Sequence, residues 1–218
     1  MRHVIRACSV VVLMMLSPMA CAHSADSPAA TGEQKMTANP IKVAETKAVL
    51  RDLWLGHILS IRNVAVATMD QNAAARSAAE AGVVANAEQI ARSIEPFYGK
   101  PAADKLFSLL AGHYEGIREH LDATVAGSTS QQGAAVKALT ANAAEISSFL
   151  SGANPNLPKD TVMGLLMAHA AHHLTQFQQL KEADYAREAE TWKGMKQHIY
   201  LVADALTQAL AAQFPAQF

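Results

Sequence analysis

Four histidines carry the chemistry that this chain offers: His57, His113, His169 and His198. Each stands in a row of apolar residues with helical spacing. His57 follows Leu50 by seven and precedes Val64 by seven. His113 shares a row with Leu106, Leu110 and Ile117, His169 with Val162, Leu166 and His173, and His198 with Met195 and Val202. Such rows form the buried stripe of a helix. Helical bundles build metal sites where these stripes meet. Imidazole is the commonest neutral metal ligand. It suits zinc, iron and copper, so a divalent transition metal of that group is the expected cofactor.

Two further residues stand in reserve. His169, His172 and His173 form H-x-x-H-H, and positions i and i+4 share a helix face, which makes His173 a second ligand beside His169. His172 lies about 60° from that line and faces outward. Glu145 follows Asn142 by three, as Gln89 follows Asn86. A carboxylate opposite a histidine helix resembles half of a carboxylate-bridged site. No Glu-x-x-His pair lies on a buried row, however, so any site is histidine-rich and mononuclear. The competing reading makes these histidines structural, each bonded to a backbone carbonyl or to Asn86 or Asn142. Burying four imidazoles without a shared partner is unfavourable. His23 and His120 are expected in solvent. No Gly-rich loop after a strand, G-x-S-x-G or usable cysteine nucleophile points to another chemistry.

The elements that must position these residues are all helical. The chain has 218 residues and opens on a basic start, Met1 to Arg6, followed by the apolar run Ala7 to Leu16 and a small-residue exit, Ala20-Cys21-Ala22. That pattern is a secretory signal, too short to span a bilayer. The expected organisation is a signal peptide over 1–22, a flexible linker over 23–40 and a helical domain over 41–218. The protein is then periplasmic or secreted, with a lipoprotein anchored at Cys21 as the alternative. Cys8 and Cys21 are the only cysteines, so the domain contains neither a disulfide nor a Cys-zinc site. With 18 basic and 19 acidic residues interspersed, no basic stripe suggests nucleic acid and none suggests an anionic membrane. No segment after the leader is apolar enough to span a membrane, and a metal ion or small ligand is the expected partner.

Period and punctuation predict six helices, over about 41–70, 73–95, 101–125, 130–151, 159–183 and 185–213. Ala85 to Ile90 matches Ala141 to Ile146, and Leu109 to His113 matches Leu165 to His169. Both blocks share one offset, since 142 − 86 equals 169 − 113. The second–third and fourth–fifth helix pairs therefore read as copies of one hairpin. The expected fold is an all-α, up-and-down bundle of about six helices with an internal duplication. Its four-helix core is completed by the first and last helices. His113 and His169 are expected to face each other across a pseudo-two-fold axis, with Glu145 and Gln89 close by.

The blocks Leu53 to His57, Asn86 to Gly99, Leu109 to His113, Asn142 to Pro155, Leu165 to His169, His198 to Asp204 and Gln213 to Phe218 resemble a bacterial family of uncharacterised helical-bundle proteins. The resemblance covers nearly all of the chain after the leader. Members sometimes carry labels such as glycosyltransferase or acetylglutamate kinase. A nucleotide-sugar enzyme needs an α/β sheet with a phosphate-binding turn, and this sequence patterns no strands. The family has an acidic residue where this chain has Gln89, so that ligand does not carry over. At fold level the chain is similar to DinB/YfiT-like bundles, which hold a metal with three histidines.

Overall fold

The computed structural model describes residues 36–218. The leader over 1–22, Cys21 with its two processing alternatives, His23 and the linker as far as residue 35 lie outside the described residues. From Met36 onward the chain is helical, and no strand occurs among the described residues. No helix there is long and apolar enough to cross a membrane.

Six long helices form as the periodicity predicts. They are α1 (Pro40–Met69), α2 (Ala73–Arg92), α4 (Lys100–Ala126), α5 (Thr129–Ala153), α6 (Lys159–Lys181) and α7 (Tyr185–Gln213). A one-turn helix not expected from the sequence, α3 (Glu95–Tyr98), follows α2. Pro96 stands in its first turn, where a missing N–H costs nothing, so the proline that ends α2 also starts α3. Side chains of Asn39, Asn72, Ser128 and Asp184 cap the starts of α1, α2, α5 and α7. Gly127 closes α4 in the left-handed region at φ 71°, a conformation natural to glycine.

The helices pack as a ring in chain order. Each long helix neighbours the next, and α7 closes onto α1; α6 also touches α4 and α1 across the interior. α1 packs most tightly on α2 and α4 on α5; α7 packs on α1 more than on α6, with which it forms the third sequence-adjacent pair. The expected second–third and fourth–fifth pairs are neighbours in this ring as well, α2 with α4 and α5 with α6, and α1 is an integral member of the core.

One contact recurs in all three pairs. Asn86 Nδ2 donates to the Leu53 carbonyl at 3.0 Å, and Asn142 Nδ2 donates to the Leu109 carbonyl at 3.0 Å. In the third pair His198 Nε2 meets the Leu165 carbonyl at 2.9 Å. Each bond spans 33 residues. The acceptors are evenly spaced along the chain, since 109 − 53 equals 165 − 109. Glycine permits the close approach in the first two pairs. A Cβ on Gly56 or Gly112 would lie 3.1 Å from the facing Asn Nδ2. The third pair carries Ala168 at that place, and the longer imidazole of His198 makes the same reach. The contacts are thus arranged in threes, where a two-fold relation was expected.

Ion pairs tie the hairpins together. Arg51 forks onto Asp204 between α1 and α7, and Arg76 onto Asp122 between α2 and α4. The most buried pair joins three helices: Arg62 of α1 forks onto Glu188 of α7 at 2.8 and 3.0 Å, while Gln176 of α6 donates to the same carboxylate at 2.7 Å. Glu188 is only 3% exposed. Its carboxyl is held below the usual range, first by the Arg62 hydrogen bonds, against the opposing effect of burial. Arg62→Met leaves that charge buried with one partner and is expected to destabilise the fold by about 2–3 kcal/mol. Denaturant titration of both proteins at pH 7 checks this; an unchanged midpoint would show that the pair holds nothing together.

Candidate metal centre

His57, His113 and His169 lie near the middles of α1, α4 and α6, one to each hairpin. The contact that aligns each hairpin uses the carbonyl four residues earlier, at Leu53, Leu109 or Leu165. Equivalent registers bring the three rings to one place. Each offers a nitrogen such that all three atoms lie within 4.8 Å of one another. His57 Nε2 and His169 Nε2 are 3.3 Å apart. A tetrahedral ion with bonds of about 2.0–2.1 Å separates its ligand nitrogens by about 3.3 Å, so this edge already has the right length. The His113 and His169 rings are nearly stacked, with centroids 5.9 Å apart.

Burial defines their electrostatics. The three residues are 6%, 4% and 2% exposed, so each ring sits in a medium that penalises charge. Burial, then the neighbouring His113, pushes His57 down to about 3. Burial pushes His113 down to about 4; the nearby Asn142 amide opposes this only weakly, because its Nδ2 is given to the Leu109 carbonyl. His169 lies well below its ordinary value, through burial first and then four other histidines. All three are therefore neutral at physiological pH, the form that ligates metals, and protons do not compete for the nitrogens. Neither nitrogen of His113 has a hydrogen-bond partner, nor does Nδ1 of His169. Buried imidazoles are ordinarily paired, so these lone pairs and protons are an unmet demand at the centre of the bundle.

His173 extends the cluster. It is fully buried, its ring centroid is 4.6 Å from that of His169 and 6.1 Å from that of His57, and both its nitrogens lack partners. At the equivalent places of the other two hairpins stand Ile117 and Ile61, both buried. A polar ring thus occupies a place that those hairpins fill with isoleucine.

The remaining candidates fall elsewhere. His198 is half-buried and is taken up by the Leu165 carbonyl, so it belongs to the hairpin contact and not to the cluster. Glu145 is exposed on the outer face beside Lys105 and Ser148, and Gln89 is exposed as well. The buried stripe of α5 runs through Leu139, Ala143 and Ile146, and Glu145 is about 100° off it. His120 is buried, contrary to the expectation of a solvated ring, because it follows His113 by seven on the same stripe; Thr124 Oγ1 lies 3.3 Å from its Nδ1. His57, a ligand candidate by its apolar row, also carries a repeat signal. The stronger signal was the ending Gly56-His57, which recurs as Gly112-His113 at the offset of the other matched blocks.

Three neutral nitrogens from three helices could hold an ion and would supply three of its ligands. Catalytic zinc sites have this form, three protein ligands with a fourth position for water or substrate, whereas structural sites close all four. An ion held here would act as a Lewis acid on whatever took that fourth position.

The same burial makes the metal-free fold acid-sensitive. Folding lowers these pKa values below 6.5, so the unfolded chain binds protons first as pH falls. Stability present above pH 6.5 is lost progressively through about pH 4, the folded value of His113, toward about pH 3, that of His57. His173→Leu removes one such group and two unpartnered nitrogens. It is expected to raise metal-free stability at pH 6 by about 1–3 kcal/mol and to flatten the acid limb. Unfolding curves between pH 7 and 4.5 check both, and a variant as acid-sensitive as its parent would rule the account out.

No protein-family model, curated protein or solved structure matches this chain.

Proposed function

We propose that the protein is an exported metal-binding bundle that holds one divalent transition ion, zinc, iron or copper, through His57, His113 and His169. The observation that carries this reading is three buried, neutral imidazoles with nitrogens within 4.8 Å, among which His113 has no other partner. His173 adjoins the three, its ring centroid 4.6 Å from that of His169. With three protein ligands the site suits a sensor, carrier or simple metalloenzyme. The fold-level resemblance to DinB/YfiT-like bundles, which hold a metal with three histidines, is in keeping with a three-histidine site. The leader-like start supports delivery to the periplasm or beyond, with anchoring at Cys21 as the alternative.

A second reading has its own observation. The 3.3 Å contact between His57 and His169 suits an ordinary N–H···N hydrogen bond, so the cluster would serve a scaffolding or binding module without metal.

Metal analysis of protein purified without a histidine tag separates the two. The first reading expects about one equivalent of metal. It also expects stabilisation by about 2.7 kcal/mol when free metal stands about 100-fold above Kd. His113→Ala should abolish both effects. His198→Asn, which installs the residue of the other hairpins, should keep them. Absence of bound metal together with no thermal shift on adding zinc, iron or copper would leave the scaffolding reading.

A further inference from the structure

A largely apolar pocket lies one helical turn from the histidines. It measures about 70 Å³. Its wall is built in threes: Leu50, Leu106 and Val162 form one layer, and Trp54, Leu110 and Leu166 form the next. Each member of the second layer precedes a cluster histidine by three residues, so the cavity and the histidines are successive levels of the same three helices. The second helices of the hairpins complete the wall at equivalent places, as with Ile90, Ile146 and Val202.

The few polar groups on the wall are nearly all engaged. Ser93 donates to the Ile90 carbonyl, and Asn154 donates to the Tyr98 hydroxyl, which donates to Gln213. Trp54 Nε1 is the exception, a buried donor without a partner. A buried water needs two to four polar partners, and this space offers one. Water is therefore a poor occupant although the volume admits it. Engineered apolar cavities of about 150 Å³ stay dry and bind benzene or xenon. The present space is about half that size and suits a smaller guest.

We propose that this cavity is a binding site for a small uncharged apolar molecule with at most one acceptor atom, of the size of a diatomic gas or a two- to three-carbon compound. It holds that molecule one helical turn from the histidine cluster. The placement next to a metal rests on the reading above; the cavity's affinity for an apolar guest does not.

Xenon is the probe, applied to metal-free protein so that the outcome is independent of metal binding. Crystals pressurised with xenon should show a site between the Leu50, Leu106 and Val162 side chains. In solution the xenon-129 shift should titrate to saturation. Ala205→Leu adds three carbons at the cavity wall, from a partly exposed position that tolerates the change, and should weaken xenon binding at least tenfold. A saturable shift lost in this variant supports the site. No saturable binding, a xenon position outside this wall, or equal binding by the variant overturns it. If Ala205→Leu does not fold, the xenon position in the parent crystal decides alone.

Discussion

The fold depends on one interhelical contact made three times. A side chain on the second helix of each hairpin donates to a carbonyl on the first, at Leu53, Leu109 and Leu165. A hydrogen bond of this kind contributes only about 1 kcal/mol, but its geometry is strict and an error of one residue forfeits it. It therefore sets how far each hairpin is slid along its own axis. Since the same carbonyl stands four residues before a core histidine in every pair, setting the slide also sets the histidine. Convergence of the rings follows from registry, with no need for the rings to attract one another.

Much of this was legible in the chain. The six long helices followed from the 3.6-residue period and from capping residues such as Asn39, Asn72 and Ser128. The inward placement of His57, His113 and His169 followed from their neighbours at three, four and seven. What resisted was the third pairing. Ala-rich helices match one another in several registers, and the conspicuous match between the second and fourth helical segments displays two of the three equivalent contacts and hides the third. Glu145 failed for an angular reason: three residues from a half-buried Asn lies on the flank of a helix, and which flank depends on the neighbour. His198 sat on an apolar row, yet an apolar row can end against a carbonyl as readily as against an ion.

The third hairpin departs from the other two in a concerted way. Ala168 replaces glycine, His198 replaces asparagine and His173 replaces isoleucine. The first two changes compensate, a larger residue at the contact being matched by a longer reach. The third has no compensating partner within the fold, since both its nitrogens are buried and unpaired. Residues that lower stability without a structural return are characteristic of sites retained for what they bind.

The three cluster histidines come from segments of the chain that stand far apart and at equal intervals, since 113 − 57 equals 169 − 113. The domain has no cysteine with which to staple itself. An ion bonded to one residue of each hairpin would close two long loops of the unfolded chain at once, and loop closure lowers the entropy of that chain as a disulfide does. It would serve as a reversible cross-link, opened by chelators where a disulfide is opened by thiols. No fragment of one or two hairpins contains all three ends of that link, so a proteolytic nick between hairpins would release the ion only when the pieces part.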